Sequence, residues 1–231
     1  MDINQAAALI GTDNTGYLTP FCVPDTFNND QEIEGFLCKI SDHRYGALVI
    51  CKVAGVETEP QVIWCTPKLH YPFGRTEGDD ARIYHPWLKG DHEFAIFQKL
   101  DGTNVCAYFY RDAEGKPCLT YKTRLTPVLA ANRFLNAAEL WNKAIAAVHQ
   151  EFGVYIPGAI WRNWGVRSEY SYSFELYGYE NPLSIVYKTP ITARLLFCVR
   201  QVDHVIQLPE TFDIPSVASL GRHTGPFTTV Y

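Results

Sequence analysis

Lys99, Asp101, Gly102 and Asn104 are the most closely spaced set of chemically useful residues in the sequence. An apolar run, Phe94-Ala95-Ile96-Phe97, leads through Gln98 to Lys99, and Asp101-Gly102 follows at once. A second β-favouring run, Val105-Cys106-Ala107-Tyr108-Phe109-Tyr110, comes next. Asp-Gly between two such runs predicts a β-hairpin, with Lys99 closing its first strand. That place suits a nucleophilic amine, which must be held still and have its pKa lowered by burial or a cationic neighbour. The same residues also describe a surface lysine beside a common turn, so the rest of the chain decides between them.

The elements around the lysine read mainly as strands. Gly35–Ile40 and Tyr45–Val53 flank the turn Ser41-Asp42-His43-Arg44, and Pro60–Cys65 is a third candidate. Tyr71 to Asp91 reads as loop, with His70, His85 and His92 at no metal-ligand spacing. Cys118–Leu125 is expected as a strand that puts Lys122 and Arg124 on one face. An inward face would give those cations a phosphate to bind, and an outward one would leave them solvated. Thr126-Pro127 has the form of a helix start. Asn136-Ala137-Ala138-Glu139 has the form of a capping box opening a second helix. Ala138, Trp141, Ile145, Val148 and Phe152 form its apolar stripe, and Gly153 ends it. Strands resume at Ser171–Gly178, which carries Glu175 inside an aromatic run, then at Leu183–Lys188 and Ile191–Arg200.

The chain has 231 residues, 47% of them apolar, enough for one large core. A net charge of −5 excludes a broadly basic nucleic-acid coat but not a local basic groove. Seven cysteines with no Cys-x-x-Cys pair point to reduced thiols rather than a disulfide framework or a zinc site. The first residues lack a signal-peptide pattern and no run is long enough to span a membrane, so a cytoplasmic protein with no membrane partner is expected.

Lys99-Leu100-Asp101-Gly102 resembles the Lys-x-Asp-Gly motif of the covalent nucleotidyltransferases, the polynucleotide ligases and messenger-RNA capping enzymes. Thr120–Arg124 resembles the short basic motif that follows the nucleophile. Phe174-Glu175-Leu176-Tyr177-Gly178, with Asn181 and Ile185-Val186-Tyr187, resembles the third motif in its phage-type RNA ligase form. Leu195–Arg200 resembles the next one. The resemblance spans roughly Glu93 to Arg200, and the family's helical insertion falls at Asn136–Phe152. It implies an α+β nucleotidyltransferase (adenylylation) domain: antiparallel sheets flanking a nucleotide groove, with peripheral helices. Residues 1–92 would be a strand-rich part of the same body and 93–231 the core. It implies Lys99 as the nucleophile that takes AMP from ATP, with RNA bearing 5′-phosphate and 3′-hydroxyl ends as the partner substrate. Leu100, Asp101, Gly102 and Asn104 would shape or touch the nucleotide site, and Arg124 would bind phosphate or ribose. Glu175 would contact the ribose or help to hold Mg2+, which neutralises developing phosphate charge. An unspecified aromatic residue would stack on adenine.

The sequence departs from the family at several positions. No Glu-Gly strand or Lys-x-Lys strand follows Arg200; Pro209-Glu210-Thr211-Phe212 and Leu220-Gly221-Arg222-His223 fit neither, and Lys188 is the last lysine. Pro182 stands where RNA ligases carry an arginine after the asparagine. The expectation is therefore an RNA ligase or its adenylylation part, with the last two motifs absent or supplied by a second polypeptide. The alternatives are a catalytically weak nucleotide- or RNA-binding module of the same fold, and a capping-type guanylyltransferase. Continuation of the motif as Thr103-Asn104, the ligase-like third motif and the lack of a recognisable oligonucleotide-binding domain count against the last.

Overall fold

Short alternating runs and tight turns build the first sheet. β1 (Leu18–Asp25), β2 (Gln31–Cys38), β3 (Leu48–Val53) and β4 (Val56–Ile63) pair antiparallel in chain order. Ala54 and Gly55, both at positive φ, make the two-residue turn between β3 and β4. Pro20, Pro24 and Pro60 lie on the outer strands β1 and β4, where a missing N–H breaks no ladder. The computed structural model describes residues 1–69, 73–75, 82–84, 93–129, 136–164 and 169–224, with the backbone alone at 73–75, 82–84 and 224.

Contacts group the chain into two units, Met1–Lys68 with Leu100–Ser216 and Leu69–Lys99 with Val217–Tyr231. In the second unit, β5 (Phe73–Arg75) pairs with β6 (Arg82–Tyr84), two short strands inside the stretch read as loop. His70, His85 and His92 lie outside the described residues. β7 (Glu93–Phe97) pairs with the late strand β13 (Ser219–Thr224), and Gln98 N donates to Ala218 O at 2.9 Å, continuing that contact to the residue before Lys99.

In the first unit a five-stranded antiparallel sheet runs β12 (Ile206–Gln207), β11 (Thr192–Arg200), β10 (Tyr170–Tyr177), β8 (Thr103–Arg111), β9 (Pro117–Lys122). Val105 to Tyr110 are all buried, as suits an inner strand covered on both faces. One face of this sheet meets the first sheet, packing Cys106, Tyr108 and Tyr110 against Ile33, Leu48 and Ile50. The other face carries α2 (Ala137–Phe152) and α3 (Ile156–Trp164), which pack Trp141 and Ile160 against Ala107, Tyr172 and Phe174. α1 (Ile3–Ile10) covers the far face of the first sheet over Val49 and Trp64. The architecture is α+β, with sheets layered between helices.

The hairpin expected across Asp101-Gly102 does not form. β7 pairs with β13, while β8 has both edges occupied, by β10 and by β9. Thr126-Pro127 opens no helix: the segment is a turn, and Leu129 N donates back to Tyr121 O at 2.6 Å. Leu183–Lys188 is not a strand either. α2 begins and ends as expected, with the Asn136 side chain accepting from Glu139 N and Gly153 in the left-handed region. Its buried face is Ala137, Leu140, Trp141, Ala144, Ile145 and Val148, whereas Phe152 is exposed. Among the described residues no helix is long and apolar enough to cross a membrane.

Candidate functional site

Glycine at 102 answers a packing demand rather than a turn demand. Its φ lies outside the left-handed region, and a Cβ there would stand 2.3 Å from Leu176 O and 2.9 Å from the Leu176 carbonyl carbon. Only a residue without a side chain lets β8 begin so close to the end of β10. At that contact Gly102 N donates to Glu175 Oε1 at 2.9 Å. Two sequence motifs 73 residues apart are thus joined by a direct hydrogen bond.

Asp101 is fastened in both directions to the segment after β10. Its backbone N donates to Tyr187 Oη at 2.8 Å, and its Oδ2 accepts from Ser184 N at 2.8 Å and Ile185 N at 3.0 Å. The carboxylate gathers two amide donors, as in an Asx-type cap, but from residues distant in the chain. Tyr187 in turn packs against Tyr177, ring centres 4.8 Å apart. Asn181, almost fully buried, bridges Thr103 Oγ1 at 3.1 Å and Leu176 O at 2.9 Å and so ties the start of β8 to the turn after β10.

Asn104 stands opposite Glu175 in the β8–β10 register. Its Nδ2 donates to Ser173 Oγ at 2.9 Å and Phe174 O at 3.1 Å, while its Oδ1 is buried without a hydrogen-bond partner among the described residues. Ser173 Oγ also accepts from Thr66 Oγ1 at 3.0 Å, so the segment that follows β4 reaches the same patch. The structure therefore brings Asp101, Gly102, Asn104 and Glu175 together. Leu100 is buried and opens the first unit's 100–216 segment. Lys99 is exposed and closes the second unit's 69–99 segment.

Lys122 and Arg124 part ways. Lys122 is fully buried, and its Nζ donates to Gly46 O at 2.8 Å and Arg124 O at 3.0 Å. The inward lysine thus binds backbone carbonyls, an outcome different from both phosphate binding and solvation. Gly46 accepts this arrangement because its φ is +81° and a Cβ would meet Arg124 O at 2.4 Å. Arg124 is half-buried, with its guanidinium 5.9 Å from the Tyr45 ring centre and its Nε buried without a hydrogen-bond partner among the described residues. Lys68 approaches the same ring at 5.5 Å. Beside Lys122, the Cys106 thiol is pushed down to about 7, first by the hydrogen bond from Cys65 and then by the Lys122 charge and Thr66 against the effect of burial. Burial, reinforced by the same hydrogen bond, pushes Cys65 well up.

Sequence reasoning assigned no role to Tyr187, Ser173, Thr66, Tyr45 or Lys68. Tyr187 alone stood inside a quoted motif. Ser173 and Thr66 reach Asn104, and Tyr45 and Lys68 gather near Arg124, through pairings that no local spacing encodes.

No protein-family model matches the chain, and no curated protein matches it. Among solved structures, an RNA ligase of Naegleria gruberi with PPi is similar, at 10% identity over 90% of this chain and 85% of that one, with a TM-score of 0.41. A likeness that distant assigns no roles to residues.

Proposed function

We propose that the chain is an ATP-dependent nucleotidyltransferase of the RNA-ligase type, with Lys99 as the residue that carries AMP. The observation that supports this most is the hydrogen bond from Gly102 N to Glu175 Oε1. The residue three after the lysine and the carboxylate of a separate motif share one contact, as a site built from both would require. In the reaction the Lys99 amine attacks the α-phosphorus of ATP, giving up a proton to solvent and forming a P–N bond while the α–β phosphoanhydride breaks and pyrophosphate leaves. The adenylate then passes to an RNA 5′-phosphate, and a 3′-hydroxyl displaces AMP to seal the strand.

The residues present fit such a substrate. Asn104 Oδ1 is an acceptor and Arg124 Nε a donor, each buried and without a hydrogen-bond partner among the described residues, and groups of this kind are normally satisfied by a ligand or water. Asp101, Gly102 and Asn181 have the positioning role: they hold the start of β8 against the end of β10, and with it the chain immediately after the nucleophile. Glu175 is the carboxylate that would hold Mg2+. A single carboxylate leaves phosphate and water oxygens to complete the shell, which is the common arrangement for this ion. When bound, the ion would neutralise charge developing on the phosphates. A second polypeptide supplying further cations to the triphosphate and a cytoplasmic setting remain parts of the proposal.

Pyrophosphate exchange tests it. Formation of the lysyl adenylate is reversible, so labelled pyrophosphate should enter ATP in the presence of Mg2+, and Lys99→Ala should stop the exchange. ATP binding without exchange would replace the ligase reading by a nucleotide-binding module.

A further inference from the structure

On the helix side of the five-stranded sheet, away from Asn104 and Glu175, α2 and α3 enclose a cleft of about 540 Å³. Its lining includes four aromatic residues, Phe27, Tyr121, Tyr155 and Trp161, together with Asn142 and His149. Tyr121 is buried, whereas Tyr155 and Trp161 are 55% and 40% exposed, a large aromatic area to leave open to water.

Both exposed rings are braced. Trp161 meets Phe109 edge-on at 4.8 Å and Trp164 at 6.0 Å. Tyr155 meets His149 edge-on at 6.2 Å and lies close over Gly158, where a Cβ would be 3.2 Å from its ring. Arg162 Nη1 comes within 3.9 Å of the same point. A glycine inside a helix weakens it, and here it lets an aromatic ring and a guanidinium approach one helix surface. Arg162 is exposed in the last turn of α3.

We propose that this cleft binds an unpaired nucleotide of a single-stranded nucleic acid. Braced aromatic faces offer stacking, which any base accepts. The amide of Asn142 and the imidazole of His149 can read a base edge. Arg162 offers a charged fork to the phosphate. A purely aliphatic ligand would use none of these polar groups. The inference does not rest on adenylyl transfer by Lys99, and none of its residues belongs to that machinery.

The test is fluorescence anisotropy with short labelled oligouridylate and oligoadenylate, the matching deoxy strands, a duplex, and free UMP and AMP as competitors. Single strands are expected to bind more tightly than the duplex, with the ribose and deoxyribose strands showing whether the sugar is read. Tyr155→Ala and Arg162→Gln should each weaken binding by about fivefold or more. Gly158→Ala favours the helix while crowding the tyrosine, so it should weaken binding without lowering the thermal midpoint. Absence of single-strand binding by the wild type would overturn the proposal, as would all three variants binding within about twofold of it. Free nucleotides binding as tightly as the strands would also overturn it. Labelling at Lys99 is a separate readout and would survive any of these failures.

Discussion

Replacing Gly102 by alanine and by asparagine separates a close-approach glycine from a turn glycine. A Cβ at 102 meets backbone atoms, Leu176 O at 2.3 Å and Leu176 C at 2.9 Å, and neither can swing aside as a side-chain tip could. Relief requires the start of β8 to move off β10. That movement breaks the Gly102–Glu175 hydrogen bond and disturbs the adjoining Thr103–Leu176 pair. A hydrogen bond to a charged acceptor contributes about 1.5–3 kcal/mol, and a ladder bond about 1 kcal/mol. Glu175 is only half-buried, which favours the lower end, so the expected loss is about 2–3 kcal/mol. For a chain of this size, that lowers the melting midpoint by about 4–12 °C. Differential scanning calorimetry reads it directly. Asparagine should be as damaging as alanine, because the demand is for space. In a hairpin turn of the primed type asparagine would be welcome, since it tolerates positive φ. A Gly102→Asn variant melting within about 1 °C of wild type, against that expected shift, would refute the reasoning.

The remaining predictions concern groups that hold the first unit together. Asp25 is fully buried and accepts from Phe27 N, Asn28 Nδ2, Tyr110 Oη and Thr120 Oγ1, so Asp25→Ala strands several donors and should cost about 3 kcal/mol or more, read from urea unfolding. Lys122→Met leaves Gly46 O and Arg124 O without their donor and should cost about 1–3 kcal/mol. It also removes a charge that holds the Cys106 thiol down, so ultraviolet thiolate absorbance should appear at higher pH than in the wild type. His204 lies tilted 3.9 Å from Trp64 and stacks 5.6 Å from His43; burial first, and then the His43 charge, press it below its ordinary value of 6.5. A base depressed on folding binds fewer protons than in the unfolded chain. Its stability is therefore intact above 6.5, is lost as the pH falls from there, and levels off below the folded value. His204 sits at φ +61°, which asparagine tolerates, so His204→Asn should fold and show a shallower acid dependence of the melting midpoint.

Where the signal was local, the sequence was legible. The Asn136–Glu139 capping box and Gly153 bound α2 as read, and the aromatic run around Glu175 is a strand. α1 carried comparable signals that went unread: Asp2 and Gln5 form a capping box, and Gly11 closes the helix in the left-handed region. Pairing is where the reading failed. Asp101-Gly102 has the form of a hairpin turn, but the aspartate binds the amides of Ser184 and Ile185 instead, and the apolar run after it is buried on both faces between β10 and β9. Nothing within a few residues of Asp101 encodes those distant partners. The period-two rule put Lys122 and Arg124 together, but it could not show that Lys122 points inward and ends on two carbonyls. The convergence of Gly102, Asn104 and Glu175 was reached through a resemblance between motifs. The physical link between them, a register that sets Asn104 opposite Glu175, is visible only in the folded sheet.

The most direct test of the central proposal is covalent label transfer. Purified protein is incubated with Mg2+ and ATP labelled at its α-phosphate, denatured, and examined for protein-bound label, with Lys99→Ala and Glu175→Ala alongside. The account predicts an acid-labile phosphoramidate on the wild type, none on Lys99→Ala, and a strong reduction on Glu175→Ala. Label that persists on Lys99→Ala, or a wild type that binds ATP and takes up no label, would contradict it.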